Sequence, residues 1–239
     1  ATGGIGLRVA GDAFGGDEGT KNGKNVGQGS WEDVNRTWAA SGEDPFSTYR
    51  YAGAAAHLAY CLQIAGKADP EGLDWTREAR ESFDWASKNT REGDEKMGLL
   101  NHRIYAAAAL FRLTGEKDYE QQFIEDTAGI QPTTQLWDDA HFGPMVYALS
   151  GPDADPDPAV HKRICAALLA TADATVDTAS KRAMRWGGNF SMPMLIGQQT
   201  TPWTLETAVG YELAKKQDPE RAKKYLSALY TTCDYFLGC

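Results

Sequence analysis

The chain has 239 residues, a mass of 26.0 kDa, a formal charge of -9 and an isoelectric point near 5.0. That length can bury a sizeable core, and the acidic excess without any Lys/Arg-rich run excludes phosphate backbones and anionic headgroups, so neither nucleic acid nor a membrane is an expected partner. No apolar stretch approaches the roughly 20 residues that span a bilayer, and the opening ATGGIGLRVAGD lacks the charged start and apolar centre of a signal peptide.

Residues 1–45 read as a glycine-rich loop, with ten glycines among the first 29 positions. Asp12 and Asp17 within it are paired carboxylates of the kind that do acid/base work on glycosidic bonds. With Glu18 they also offer hard oxygen ligands, so a structural calcium is the one ion considered, although the spacing matches no EF-hand. Such a loop gives little rigid support, and the plain reading is a solvated surface segment.

From residue 46 onward apolar residues recur at helical rather than strand spacing, which predicts an all-α chain. FSTYRYAGAAAHLAYCLQIAG reads as one helix ending at Gly66, and Asp74 caps the next, WTREARESFDWASKN. LLNHRIYAAAALFRLTG ends at Gly115 and KDYEQQFIEDTA follows it; DDAHFGPMVYALSG ends at Gly151. Asp157 then caps, and Pro158 fits, the first turn of AVHKRICAALLATADATV. WTLETAVGYELAKKQ and PERAKKYLSALYTTCDYFLG make the last pair, hinged at Asp218-Pro219.

Long helices thus stop at Gly or Asp-Pro turns and restart, an array of helical hairpins without a strict period. Connections of unequal length favour a closed α/α toroid over an open solenoid. A toroid of six hairpins needs roughly 350 residues, and residues 46–239 supply about four hairpins. The whole of 1–239 is therefore read as a single domain, either a piece of a larger toroid or a shorter helical array of another kind. Missing neighbours would uncover apolar helix faces.

Cys61, Cys165, Cys233 and Cys239 are scattered, with neither metal-ligand spacing nor scaffold density, and read as small buried apolar residues. Cys233 and Cys239 could bridge only if their helix ended between them. His57, His102, His141 and His161 form no H-x-x-x-H pair, so no metal site is assigned.

Aromatics gather near helix ends and loops: Trp31, Trp38, Trp137, Trp186 and Trp203, with Tyr49, Tyr51 and Phe190. A sugar offers an apolar face and a rim of hydroxyls, so its cleft needs aromatic walls beside carboxylate, Arg and Asn groups. LWDDAHFG, with Trp137, Asp138 and Asp139, and MRWGGN, with Arg185, Trp186 and Asn189, provide that mixture. Trp137 and Trp186 as core anchors, with Asp138 as a cap, are the alternative. Trp75 and Trp85 read as core.

Several segments together resemble the catalytic domain of family 9 glycoside hydrolases, which implies that the chain forms part of an (α/α)6 toroid of the six-hairpin glycosidase type. GGIGLRV resembles that family's G-G-V-x-x-K-V segment, DPFSTYRYAGAAAHLA its S-T-x-x-x-x-A-A-x-A-A helix, and IYAAAALFRLTGEKDYEQQF its W-A-A-x-x-L-Y-x-A-T-G-D-x-x-Y-L hairpin. LWDD and MRWGGNFSMPML stand at W-D-D/N and R-[WY]-G-S-N, and CDYFLGC at D-Y-x-L-G-x-N-P. In that family the D-A-G-D motif with the catalytic base precedes G-G-V, whereas AGD at 10–12 follows it and Val9 replaces the first Asp. The resemblance thus implies that Asp12 is not the base and that both catalytic carboxylates lie outside residues 1–239, leaving no catalytic residue here.

For a complete enzyme the resemblance implies inverting hydrolysis of a β-1,4-linked glucan, cellulose or cello-oligosaccharides, by two carboxyl groups about 6.5–9.5 Å apart. Trp137 and Trp186 would stack on glucosyl rings, Arg185, Asp138 and Asp139 would hold hydroxyls, and Tyr105 stands at a cleft aromatic, though its alanine-rich helix equally suits a core residue. Gly188 replaces the usual Ser, and Lys181 a further Trp of some members, so a glucosaminidase or exo-acting enzyme stays open. An oligo- or polysaccharide is the expected partner, and a secreted or periplasmic location follows from it. The alternatives are a non-catalytic helical module that binds a glycan or a protein, and another toroid enzyme such as a lyase.

Overall fold

The computed structural model describes residues 4–6, 9–11, 38–40, 42–94, 98–181 and 204–237. Asp12, Asp17, Glu18, Arg185, Trp186, Asn189 and Cys239 lie outside them, and of Asp138 and Asp139 only the backbone is described. The helices are α1 (Pro45–Ala65), α2 (Trp75–Asn89), α3 (Leu99–Thr114), α4 (Lys117–Asp126), α5 (Phe142–Ala148), α6 (Pro158–Lys181), α7 (Thr204–Ala214) and α8 (Pro219–Leu237). Single 3-10 turns lie at Asp138–His141 and Pro152–Ala154.

Local chemistry sets most of these boundaries. Asp44 Oδ1 accepts from Ser47 N at 2.8 Å with Pro45 at the start of α1, and Asp74 Oδ1 accepts from Arg77 N at 3.0 Å. Asp157 Oδ1 takes the amides of Ala159 and Val160, and Asp218 Oδ1 that of Arg221. Gly66 and Gly115 close α1 and α3 at φ 61° and 72°, a left-handed backbone that glycine adopts without a Cβ clash.

Short strands tie the amino-terminal segment to α1. β1 (Ile5–Gly6) pairs antiparallel with β4 (Glu43–Asp44), and β2 (Val9–Gly11) with β3 (Trp38–Ala40). Thr48 Oγ1 accepts from Ile5 N at 2.9 Å and donates to Asp44 O at 2.6 Å, which fastens β1 to the first turn of the helix. The segment read as loop therefore contains these two narrow ribbons.

Helix α1 packs on α2 and α3, α3 on α4 and α5, α5 on α6, α6 on α7, and α8 on both α6 and α7. Helices pair as hairpins while α3 also touches both α1 and α5, which is how an α/α toroid is assembled. The core centres on α3, where every residue from Ala106 to Phe111 is fully buried. A helix apolar on all sides is stable only when enclosed. Tyr147 of α5 stacks on Phe123 of α4, centroids 4.2 Å apart, and Tyr49 meets Phe83 edge-on at 5.2 Å.

Buried polar groups lock the hairpins in register. Glu120 Oε1 accepts from Tyr147 Oη and Asp157 N, both at 2.7 Å, and its Oε2 from Lys117 Nζ at 2.8 Å, so one carboxylate joins α4, α5 and the cap of α6. Arg103 of α3 grips Asp126 at the end of α4 through Nε at 2.8 Å and Nη2 at 2.6 Å. Arg163 Nη1 donates to Ile130 O at 2.7 Å and to Thr127 O at 2.5 Å.

Three expectations need correction. The helix read from Asp138 to Gly151 is a 3-10 turn followed by the short α5. A longer α-helix would set the Pro144 ring against the carbonyl of residue 140, whereas in the first turn of α5 its missing N–H costs nothing. His161 Nε2 lies 3.0 Å from Ala148 O and satisfies a carbonyl at the far end, well before Gly151. Cys61 and Cys233 are exposed: Cys61 lies on the Arg50–Ala54–Leu58 stripe of α1, and Cys233 lies to one side of the buried Tyr225–Ala228–Thr232 row of α8. Cys165 is half-buried, and burial pushes its thiol up to about 11.

Burial pushes the Glu120 carboxyl up, but its hydrogen bonds and the charge of Lys117 outweigh that and leave it below its ordinary value. It therefore stabilises the fold above the unfolded value of roughly 4.3, and this contribution disappears as pH falls through the lower folded value. Tyr147→Phe is expected to cost about 1.5–3 kcal/mol in urea denaturation at pH 7, a charge-assisted hydrogen bond. The gap from wild type should narrow below about pH 4.

Candidate functional site

Tyr105 of α3 and Phe142 of α5 come together beside α1. Tyr105 lies in the second turn of α3 and is half-buried, seated on Gly53 of α1. A Cβ at Gly53 would come within 2.4 Å of the Tyr105 ring, so only glycine leaves room for it. Phe142 opens α5, is 41% exposed, and its ring centroid is 6.3 Å from that of Tyr105 at an angle of 59°. Gly143 brings them together: a Cβ there would lie 2.5 Å from Ile104 Cγ2 and 2.8 Å from its carbonyl carbon, so α5 rests on the backbone of α3.

Trp137 is half-buried with extended backbone, φ -120° and ψ 160°, and leads into the 3-10 turn that holds Asp138 and Asp139. That turn packs on α3. At its end, His141 Nδ1 lies 2.7 Å from Glu206 Oε1 of α7, with side chains 6% and 1% exposed. The His141 ring also stands edge-on to Phe142, centroids 4.3 Å apart.

Deeper along α1 and α3 lies a basic cluster. Arg112 Cζ sits 4.3 Å from the Tyr60 ring centroid, and its Nε and Nη2 are buried without a hydrogen-bond acceptor among the described residues. Burial pushes Arg112 down while Tyr60, Cys61 and Tyr105 oppose it. Burial and then the Arg112 charge push His57 down, so that ring is neutral at pH 7. The Tyr105 hydroxyl is pushed up by burial, with Arg112 pulling the other way.

Tyr105 thus lies on α3, and the Asp138–His141 turn packs against that same helix. Arg185 and Trp186 lie outside the described residues. Tyr49 is core, while Trp75 and Trp85 are half-buried against the core. Sequence reading passed over Phe142, Gly53, His141 and Glu206. Glu206 carried one available signal, a lone acid in the apolar run WTLETAVG. Cavities of about 350 Å³ between α6 and α8 and about 380 Å³ beside Glu120 lie away from this rim.

No protein-family model and no curated protein matches the chain. Solved structures do. A single-mutant thermostable endoglucanase from Alicyclobacillus acidocaldarius matches over 98% of this chain and 42% of its own, with a TM-score of 0.62 and 18% identity. AaCel9A in complex with cellobiose-like isofagomine matches over 95% and 43%, TM-score 0.66 and 17% identity. A Bacteroides ovatus GH9 structure matches over 97% and 44%, TM-score 0.64 and 14% identity. The fold is that of the GH9 (α/α)6 toroid. The chain spans less than half the length of each of these structures.

Gly143→Ala and Gly53→Ala separate the two close approaches. Gly143→Ala meets backbone that cannot step aside and should cost at least about 1–3 kcal/mol, the penalty of overpacking. Gly53→Ala meets a ring that can turn, so its loss in chemical denaturation should be smaller, with the Tyr105 ring signals shifted in an NMR spectrum.

Proposed function

We propose that Tyr105, Phe142 and Trp137, with Asp138, Asp139, Arg185 and Trp186, form a saccharide-binding wall of a glycoside hydrolase acting on β-1,4-linked glucan by inversion. The observation that carries this reading is the exposed Phe142 face held beside Tyr105 and following the Trp137 turn. Paired aromatic faces with carboxylates and Arg close by suit a sugar ring and its hydroxyls. The likeness to GH9 endoglucanases supports the same class, and the complex of AaCel9A with cellobiose-like isofagomine supports a β-glucan over other polymers. A polymeric substrate is met outside the cytoplasm, hence a secreted or periplasmic setting.

Inversion needs a carboxylic acid that protonates the leaving oxygen and a carboxylate that activates water across roughly 6.5–9.5 Å. The reading gives that pair to none of the residues named, since Asp138 and Asp139 hold hydroxyls and Glu206 is committed to His141 at 2.7 Å. Its chemistry needs no cofactor.

Titration of the chain with cellohexaose by calorimetry, followed by mass spectrometry of the sugar, tests this. Saturable binding without shorter products is expected. Tyr105→Ala and Phe142→Ala should each weaken it roughly two- to tenfold, the 0.5–1.5 kcal/mol of an aromatic contact. Absence of binding contradicts the saccharide wall. Shorter cello-oligosaccharides would contradict the placement of the catalytic pair and turn attention to Asp12 and Asp17.

A further inference from the structure

We propose that His141 and Glu206 form a positioning clasp that fixes the Trp137–Phe142 rim against α7, an inference whose saccharide part rests on the reading above. His141 ends the 3-10 turn that begins at Asp138, and Glu206 lies in the first turn of α7, far away in sequence. Their contact, Nδ1 to Oε1 at 2.7 Å, lies between side chains that are 6% and 1% exposed. Glu206 accepts no hydrogen bond of good geometry from the described residues, so the close approach of His141 Nδ1 to Oε1 is the polar contact this buried carboxylate has there.

Several physical arguments make the pair directional. A buried carboxylate is tolerated only beside a partner that offsets its lost hydration, which makes the separated state costly. The partly positive end of α7 also favours a carboxylate in its first turn. With Oε1 only 2.7 Å from Nδ1, the ring can turn only by giving up that contact. The same ring stands edge-on to Phe142 at 4.3 Å, and Phe142 faces Tyr105 at 6.3 Å. Fixing one imidazole therefore fixes the angle of the exposed aromatic. Helix α5 itself packs on α3 and α6 while α7 packs on α6 and α8, so the clasp adds a polar link between the turn and α7.

Glu206→Ala, Glu206→Gln and the wild type, compared by amide hydrogen exchange and by cellohexaose calorimetry, decide the matter. In Glu206→Ala the amides of residues 137–142 should exchange at least tenfold faster while those of α2 and α8 keep their protection. Cellohexaose affinity should fall about tenfold, and Glu206→Gln, which keeps the side chain's length and one oxygen beside Nδ1, should restore both. If Glu206→Ala does not fold, His141→Asn carries the same comparison from the other side. Unchanged exchange at 137–142 overturns the clasp, and faster exchange with unaltered affinity overturns its role in sugar binding. If the wild type binds no cellohexaose, the saccharide wall falls, while the exchange rates still decide whether the clasp exists.

Discussion

Close approach of helices around α3 is the constraint on which the other features depend. Ala106 to Ala109 present almost no side-chain volume, and Gly53 and Gly143 remove the last Cβ where α1 and α5 press on it. Small residues draw helix axes toward the short end of the usual 8–10 Å range, and glycine within a helix costs roughly 0.5–1 kcal/mol relative to alanine. What that cost allows is specific. Tyr105 is seated against Gly53 of α1, and Phe142 is delivered beside it by a helix resting on the Ile104 backbone.

Apolar packing alone leaves helices free to slide, and in this chain buried charges fix their register. Glu120 ties α4 to α5 and the start of α6, and Arg103 ties α3 to the end of α4. On α8, Arg221 and the Tyr225 hydroxyl both engage Asp173 of α6, the latter at 2.7 Å. His141 and Glu206 follow the same rule at the rim. Glu120, Asp126 and Glu206 would each be a liability if left alone in the interior, so each helps select one arrangement over its neighbours, whereas the Arg221–Asp173 pair lies at the surface.

Features governed by local chemistry were legible in the sequence. Asp44, Asp74, Asp157 and Asp218 beside Pro or an apolar run announce helix starts, and Gly66 and Gly115 announce ends, because caps act within a few residues. The (α/α)6 toroid was legible through hairpin order and motif resemblance. What depends on distant neighbours was not. The exposure of Cys61 is decided by which helix covers that stripe of α1, and the truncation of α5 by a histidine on α6 reaching Ala148. Tyr105 could be assigned to cleft or core from its own helix, and Gly53 on another helix is what seats it. His141 and Glu206 meet only through the fold, which no spacing rule reports.

Function on such a scaffold belongs to its rim rather than to the toroid, which is a frame that many activities share. In the proposed saccharide wall, α3 assembles that rim from Tyr105, Phe142 and the Trp137 turn. Chemical-shift mapping of the labelled chain during a cellohexaose titration puts this to the test. The largest shifts are expected at Gly53, Tyr105, Trp137 and His141–Gly143, with α8 residues such as Lys223 and Lys224 unmoved. Shifts concentrated on α6 and α8, or spread evenly over the chain, would contradict it.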